Sequence, residues 1–163
     1  IADIEVTDKA GNVWHPWDDI MKGMDVFKFT MEIGPSSITR ILEYAKLGIE
    51  DIDLFAIHQA NRQIVDTIRK NAGLPAEKVP TTAFEKYANC STISFVTVLL
   101  DNLTPEIKKT LVCTFGVGLS WGSCVINTDN LYNGGMAVLK TPEKIETRQE
   151  KTAYWINYFK NEA

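Results

Sequence analysis

Leu54-Phe55-Ala56-Ile57-His58-Gln59-Ala60-Asn61 is the stretch that decides the fold. Its first four residues form an apolar run of strand length, the pattern of a strand buried within a sheet. The polar residues after it mark the carboxyl end of that strand and the start of a helix. Ile64, Val65, Ile68 and Ala72 continue it at helical spacing until Asn71–Pro75 closes it. Open α/β sheets carry their chemistry at such strand ends, so His58 is the first candidate functional residue.

Working outward, Val26, Phe27, Met31, Ile38, Ile41, Leu42 and Ala45 recur with a helical period over Asp25–Leu47. Pro35 falls inside this run, so a kink or break is expected near Gly34-Pro35, with Ser36 or Ser37 capping a second helical segment. Ahead of it, the alternation Ile4-Glu5-Val6 and the turn residues Asp8–Asn12 predict a strand end and a hairpin-like connection. Downstream, Glu77–Thr81 fits a second strand and Ile93–Leu103 a largely buried helix. Leu111–Phe115 and Cys124–Asn127 read as a closing pair of strands joined through a glycine-rich loop. Strands alternating with helices imply an α/β domain, a layered mixed sheet with helices on both faces.

Past Asp129 the composition changes. The sequence therefore divides into a domain over residues 1–128 and a C-terminal extension over 129–163. The aromatic run Tyr154–Phe159 must bury on its own domain or against a partner. The chain opens at Ile1 rather than at a methionine and is expected to be a piece of a longer protein.

The 163 residues are enough for one domain with a full core. A hydrophobic fraction of 45% and a charged fraction of 23% are those of an ordinary globular protein. With a formal net charge of −4 and no basic block, nothing points to nucleic acid. No apolar run approaches the ~18 to 20 residues of a membrane span. Cys90, Cys113 and Cys124 form neither a close-spaced metal motif nor an even-numbered disulfide framework, which fits a reducing, cytoplasmic setting. His15 and His58 are the two histidines, so no zinc site is expected.

Two more motifs lie downstream of the first: Tyr87-Ala88-Asn89-Cys90-Ser91, a polar turn opening an apolar helix, and Phe115-Gly116-Val117-Gly118-Leu119-Ser120-Trp121-Gly122-Ser123. The order and spacing of the three, with Val26-Phe27-Lys28-Phe29 before them, resemble the C-terminal half of a β-ketoacyl-acyl-carrier-protein synthase III, a thiolase-fold condensing enzyme. The resemblance runs from about Gly23 to about Asn127. It implies the C-terminal half of the thiolase fold and a decarboxylative Claisen condensation of an acyl-coenzyme A primer with malonyl-acyl-carrier protein, in fatty acid or polyketide initiation. The coenzyme A and carrier-protein phosphopantetheine thioesters would be substrates, with no cofactor held permanently.

The family's catalytic set is cysteine, histidine and asparagine, and His58 and Asn89 match the last two. Decarboxylation of a malonyl thioester leaves an enolate whose oxygen gathers charge. A neutral imidazole N–H and an amide NH2 are suitable donors to it, and losing one such donor costs about 2.7 to 4 kcal/mol. Asparagine donates without the charge an aspartate would bring, but Asn89 could equally cap the next helix, and those two roles compete for one side chain.

The resemblance places the nucleophilic cysteine in an N-terminal half outside this chain. Cys113 and Cys124 read as small core residues, and Cys90 stands where the family usually has threonine. An isolated chain is therefore expected to be inactive. Gly23 and Asn61 match positions near the pantetheine arm. Lys28 and Lys70 match basic residues that receive the acidic carrier protein, with Arg62 near the position of the family's common arginine. Each of these cations could equally be an ordinary solvated charge. The loop departs from the family's Gly-Gly-Gly-Phe at Val117 and Leu119, which affects loop freedom and the primer pocket.

In the thiolase fold two similar halves pack their central helices together, so without the other half the apolar face of Ile93–Leu103 must be covered by self-association or by the aromatic tail near Trp155, and a homodimer or larger assembly is expected. The rivals are a thiolase-fold acyltransferase forming an ester or amide, and a non-catalytic partner subunit of a heterodimeric condensing enzyme.

Overall fold

A computed structural model describes residues 4–15, 18, 21–116, 118–135, 147–150, 152–153 and 156. The chain forms two compact units, Ile1–Asn133 and Gly134–Ala163. The first begins with an antiparallel pair, β1 (Val6–Thr7) and β2 (Val13–Trp14). Asp8 organises the turn between them. Its carboxylate accepts from the backbone N–H groups of Ala10 and Asn12, each at 2.9 Å, and from the Trp14 indole at 3.0 Å.

The helix α1 (Gly23–Ala45) runs without interruption through Pro35, contrary to the break expected there. The residue ahead of this proline is Gly34. It has no Cβ to clash with the proline ring, so one of the two contacts that normally keep that position out of the helical region is absent. Gly34 also faces the core. A Cβ built on it would lie 3.0 Å from Ile68 Cδ1, so the glycine lets the next helix approach closely. Ser36 and Ser37 therefore lie inside the helix rather than capping it, and Ser37 Oγ meets Ser123 Oγ at 2.7 Å. Lys46, with φ 56°, ends the helix in the left-handed conformation.

The strand β3 (Leu54–Ile57) comes next, then α2 (Arg62–Asn71), α3 (Ala83–Tyr87), α4 (Ser94–Asn102), β4 (Lys109–Gly116) and β5 (Ser120–Asn127). β3 pairs in parallel with β4, and β4 antiparallel with β5, giving a mixed sheet in the order β3-β4-β5. Alternation along the strands feeds two cores. Phe55, Ile57, Leu111, Cys113 and Phe115 pack with Ile38 and Leu42 of α1 and with Ile64, Val65 and Ile68 of α2. Leu54, Ala56 and Val112 pack on the opposite face with Ala83 of α3 and Val98 and Leu99 of α4. All four residues of β3 are buried, as a strand covered on both faces requires. Leu54, Phe55 and Ile57 each contribute about 1.5–3 kcal/mol on burial.

The strand expected over Glu77–Thr81 is absent. Ala76–Lys78 form a single 3-10 turn between Pro75 and Pro80. Neither proline can donate to a strand ladder, and Lys78 is drawn away by its ammonium, which donates to the Ile52 carbonyl at 2.6 Å and the Glu50 carbonyl at 3.2 Å. The apolar helix also starts later than expected. Ser91–Ile93 form a 3-10 turn, Ile93 is 61% exposed, and α4 proper opens at Ser94.

In the second unit residues 148–150 are helical. Thr147 Oγ1 accepts from the Glu150 N–H at 3.2 Å, while the Glu150 carboxylate accepts from the Thr147 N–H at 2.6 Å. This is a reciprocal capping box. The aromatic run expected to bury, Tyr154–Phe159, lies outside the described residues except for Ile156.

Candidate active site

His58 extends the sheet by one residue beyond β3. Its N–H donates to the Cys113 carbonyl at 2.8 Å, continuing the parallel ladder with β4. The side chain is thereby set at the carboxyl end of the strand, where it is 7% exposed. Phe115 of β4 forms one wall, its ring edge-on to the imidazole at 6.0 Å between centroids. Phe29 of α1 backs Phe115 at 6.2 Å and meets Trp121 of β5 at 5.4 Å.

Gln59 fixes the chain as it leaves the strand. It is fully buried, and its amide donates to the carbonyls of Ile57 at 3.0 Å and Pro80 at 3.1 Å. Asn61 caps α2, its Oδ1 accepting from the Ile64 N–H at 2.9 Å.

Asn89 comes from the other side of the sheet. The short α3 that precedes it is anchored to α4 through Asp101, which accepts from the Tyr87 hydroxyl at 2.8 Å and the Lys86 ammonium at 2.9 Å. The chain then turns through Ala88, at φ 58° and ψ −166°, a conformation almost confined to glycine. Asn89 Oδ1 accepts from the Ser91 N–H at 2.9 Å.

The competition foreseen between capping and donating thus falls on different atoms. The oxygen holds the turn, and among the described residues nothing accepts from the amide nitrogen. The His58 ring meets the same turn three residues further on, where its Nδ1 lies 3.0 Å from Ser94 Oγ. Both side chains that the sequence singled out are thus tied to the segment Ser91–Ser94, Asn89 at its first residue and His58 at its last.

The turn is stitched to β4. Thr92 Oγ1 donates to the Phe115 carbonyl at 3.0 Å, and Thr114 Oγ1 to the Thr92 carbonyl at 2.8 Å. Gly116 must be small here, because a Cβ would lie 2.7 Å from Thr92 Oγ1. The β4–β5 connection turns through Gly118 at φ 122°, and Val117 lies outside the described residues.

Burial pushes the His58 imidazole below the ordinary histidine value of 6.5, with the Ser91 hydrogen bond acting in the opposite direction. The ring is neutral near pH 7 and can offer one N–H. Its Nδ1 lies 3.0 Å from Ser94 Oγ, a contact that sequence spacing gave no sign of. The only hint was a serine opening an apolar helix.

The cysteines are differently placed. Cys90 donates its thiol to the Tyr87 carbonyl at 3.1 Å. Cys113 is buried in the sheet, and desolvation pushes its thiol up to about 11. Cys124 is exposed on β5. Gly23 begins α1 with nothing near its Cα hydrogens, and Lys28 and Lys70 are exposed on α1 and α2. Arg62 is partly spent on an exposed ion pair with Glu85 at 3.1 Å. No group of three or more His, Cys, Asp or Glu side chains among the described residues is placed to hold a metal ion. No helix among them is long and apolar enough to cross a membrane.

Residues 42–128, which hold the strand end, the asparagine turn and the glycine loop, match the family of 3-oxoacyl-[acyl-carrier-protein] synthase III C-terminal domains. The chain belongs to that family. The synthase III relatives include a β-ketoacyl-[acyl-carrier-protein] synthase III of Acholeplasma laidlawii. It is 36% identical over 122 residues, covering 74% of this chain and 39% of the relative. A crystal structure of a 3-oxoacyl-(acyl-carrier-protein) synthase III superposes with a TM-score of 0.63 at 29% identity, covering 77% of this chain and 38% of the other. The synthase III of Thermus thermophilus gives 0.60 at 32% identity, covering 74% and 38%. The chain thus spans less than two fifths of the length of these synthase III proteins. Its mixed sheet with helices on both faces is the C-terminal half of their thiolase fold.

Proposed function

We propose that this chain supplies the oxyanion-stabilising half of a condensing-enzyme active site, in which His58 and Asn89 donate hydrogen bonds to the enolate oxygen left when a malonyl thioester loses carbon dioxide. The observation that carries this reading is that both side chains are tied to the one segment Ser91–Ser94, Asn89 through the Ser91 N–H and His58 through Ser94 Oγ, with a neutral imidazole and an uncommitted amide NH2. Donors held at element ends by buried neighbours need no reorganisation as charge develops. The primer is an acyl-coenzyme A and the extender a malonyl-acyl-carrier protein, and no cofactor is held permanently. The nucleophilic cysteine is contributed by the N-terminal half of the complete enzyme. The cysteines here suit the task poorly: Cys113 is buried with its thiol held neutral, and Cys90 is engaged with a carbonyl.

In this reading Gly23 and Asn61 border the pantetheine arm. Lys28, Lys70 and Arg62 steer the acidic carrier protein, an effect on the association rate that salt would screen. The complete enzyme works in the cytoplasm as a homodimer.

The test is to separate the two half-reactions in the complete enzyme. His58→Ala and Asn89→Ala should each lower malonyl decarboxylation about 100- to 1,000-fold while leaving acyl loading from radiolabelled primer near normal. Equal loss of both steps would sink the assignment. Acyl transfer with no carbon dioxide released would instead favour an ester- or amide-forming acyltransferase.

A further inference from the structure

We propose that Ser94 is a positioning residue that fixes the tautomer of His58, holding the imidazole proton on Nε2. The side chain is fully buried at the first position of α4, and its Oγ lies 3.0 Å from the Gln59 N–H and 3.0 Å from His58 Nδ1. The Gln59 N–H has no lone pair and can only donate, so it occupies an acceptor site on Oγ. The serine hydroxyl proton then needs an acceptor of its own, because a buried hydroxyl left without one is costly.

Among the described residues the Ser94 Oγ has one neighbour able to accept, His58 Nδ1. The hydroxyl therefore donates to Nδ1, Nδ1 carries no proton, and the proton of the neutral ring sits on Nε2. The backbone N–H of Gln59, the residue next to the histidine itself, thus orients the serine that orients the ring. Nothing in the hydrogen-bond chain Gln59–Ser94–His58 requires a charged partner, so it sets the proton's position while the ring stays neutral. A carboxylate on Nδ1 would instead accept a proton from it and favour the imidazolium.

This rests on the reading of His58 as the oxyanion donor, for which the Nε2–H tautomer supplies the N–H. Long-range proton–nitrogen NMR of the 15N-labelled 163-residue chain, above pH 7.5, reads the tautomer directly, and His15→Gln assigns the two rings. Wild-type His58 should show a protonated, pyrrole-type Nε2 and an unprotonated, pyridine-type Nδ1. In Ser94→Ala the two nitrogen shifts should converge as the ring samples both tautomers. Where Ser94→Ala does not fold, Ser94→Cys, close in size and a poor donor, serves the same purpose.

A wild-type ring protonated on Nδ1 overturns the proposal, as does a folded Ser94 variant with an unchanged tautomer. In the complete enzyme, Ser94→Ala should lower the kcat of decarboxylation at least tenfold with acyl loading unchanged. The tautomer is read without turnover, so a failure of the condensing reading, seen as a fully active His58→Ala enzyme, is distinguishable from a failure of this one.

Discussion

Burial makes His58 harder to protonate in the folded chain than in the unfolded one, where its value returns to about 6.5. That difference sets the sign of the pH dependence. The unfolded state binds the extra proton first, so this residue's contribution to stability is complete above pH 6.5 and is lost as the pH falls through the depressed folded value. Urea midpoints measured between pH 8 and pH 5 should therefore fall with pH, and His58→Gln should flatten that slope. Asp8, Asp18 and Asp101, all held below their ordinary value by hydrogen bonds, add their own losses only below about pH 4. Ser94→Ala should cost ~1–3 kcal/mol in the same assay, because it leaves the buried Gln59 N–H without an acceptor. Ala88 invites the opposite change. It holds φ 58° with ψ −166°, so Ala88→Gly should raise the midpoint by about 1 kcal/mol through relief of strain. An unchanged midpoint would mean that the turn relaxes without the glycine.

The contact of α1 with α2 depends on a residue with no side chain. Gly34→Val would drive two methyl groups toward Ile68, which is fully buried and cannot swing aside. Overpacking of this kind costs typically 1–3 kcal/mol, and thermal unfolding should show the loss, whereas a neutral result would show that α1 can shift away from the sheet. The same region shows what sequence could and could not tell about the fold. The strand at Leu54–Ile57 and the middle of β4 at Leu111–Phe115 were legible because short, mainly apolar runs leave few alternatives, whereas the polar start of β4 at Lys109 and Thr110 gave no such signal. The continuity of α1 was not, because Pro35 is a local break signal overruled by the absence of a Cβ on Gly34 and by packing along 23 residues of helix. Glu77–Thr81 misled for the converse reason: Val79 is buried like a strand residue but within a turn bounded by two prolines. At the site, His58 was legible from its place after a strand. The pairing of His58 with Ser94 was not, since residues distant in sequence meet only once α4 has packed across β3.

At the scale of the molecule, β5 is the exposed feature. Among the described residues, Trp121–Asn127 pair with the strand β4 alone, and no second strand lies along their other edge. Such an edge is a template for another strand unless charge or a bulge blunts it, and Ser120–Asn127 contains no charged residue. Beside it, Trp121 is 49% exposed and Leu119 48%, and a groove of about 370 Å3 runs between β5 and α1, lined by Ile33, Arg40, Tyr44 and Trp121 among others and not by His58 or Asn89. Backbone pairing and burial of the indole would both reward a second chain on this edge. The 163-residue chain should therefore self-associate, with a weight-average sedimentation coefficient that rises with concentration. Trp121→Lys, which removes the aromatic and places a charge on the edge, should return it to the monomer without unfolding it, as circular dichroism would check. A wild-type chain that sediments as a monomer at every concentration and binds no hydrophobic dye would show that the β5 edge and its apolar neighbours are covered within the chain itself.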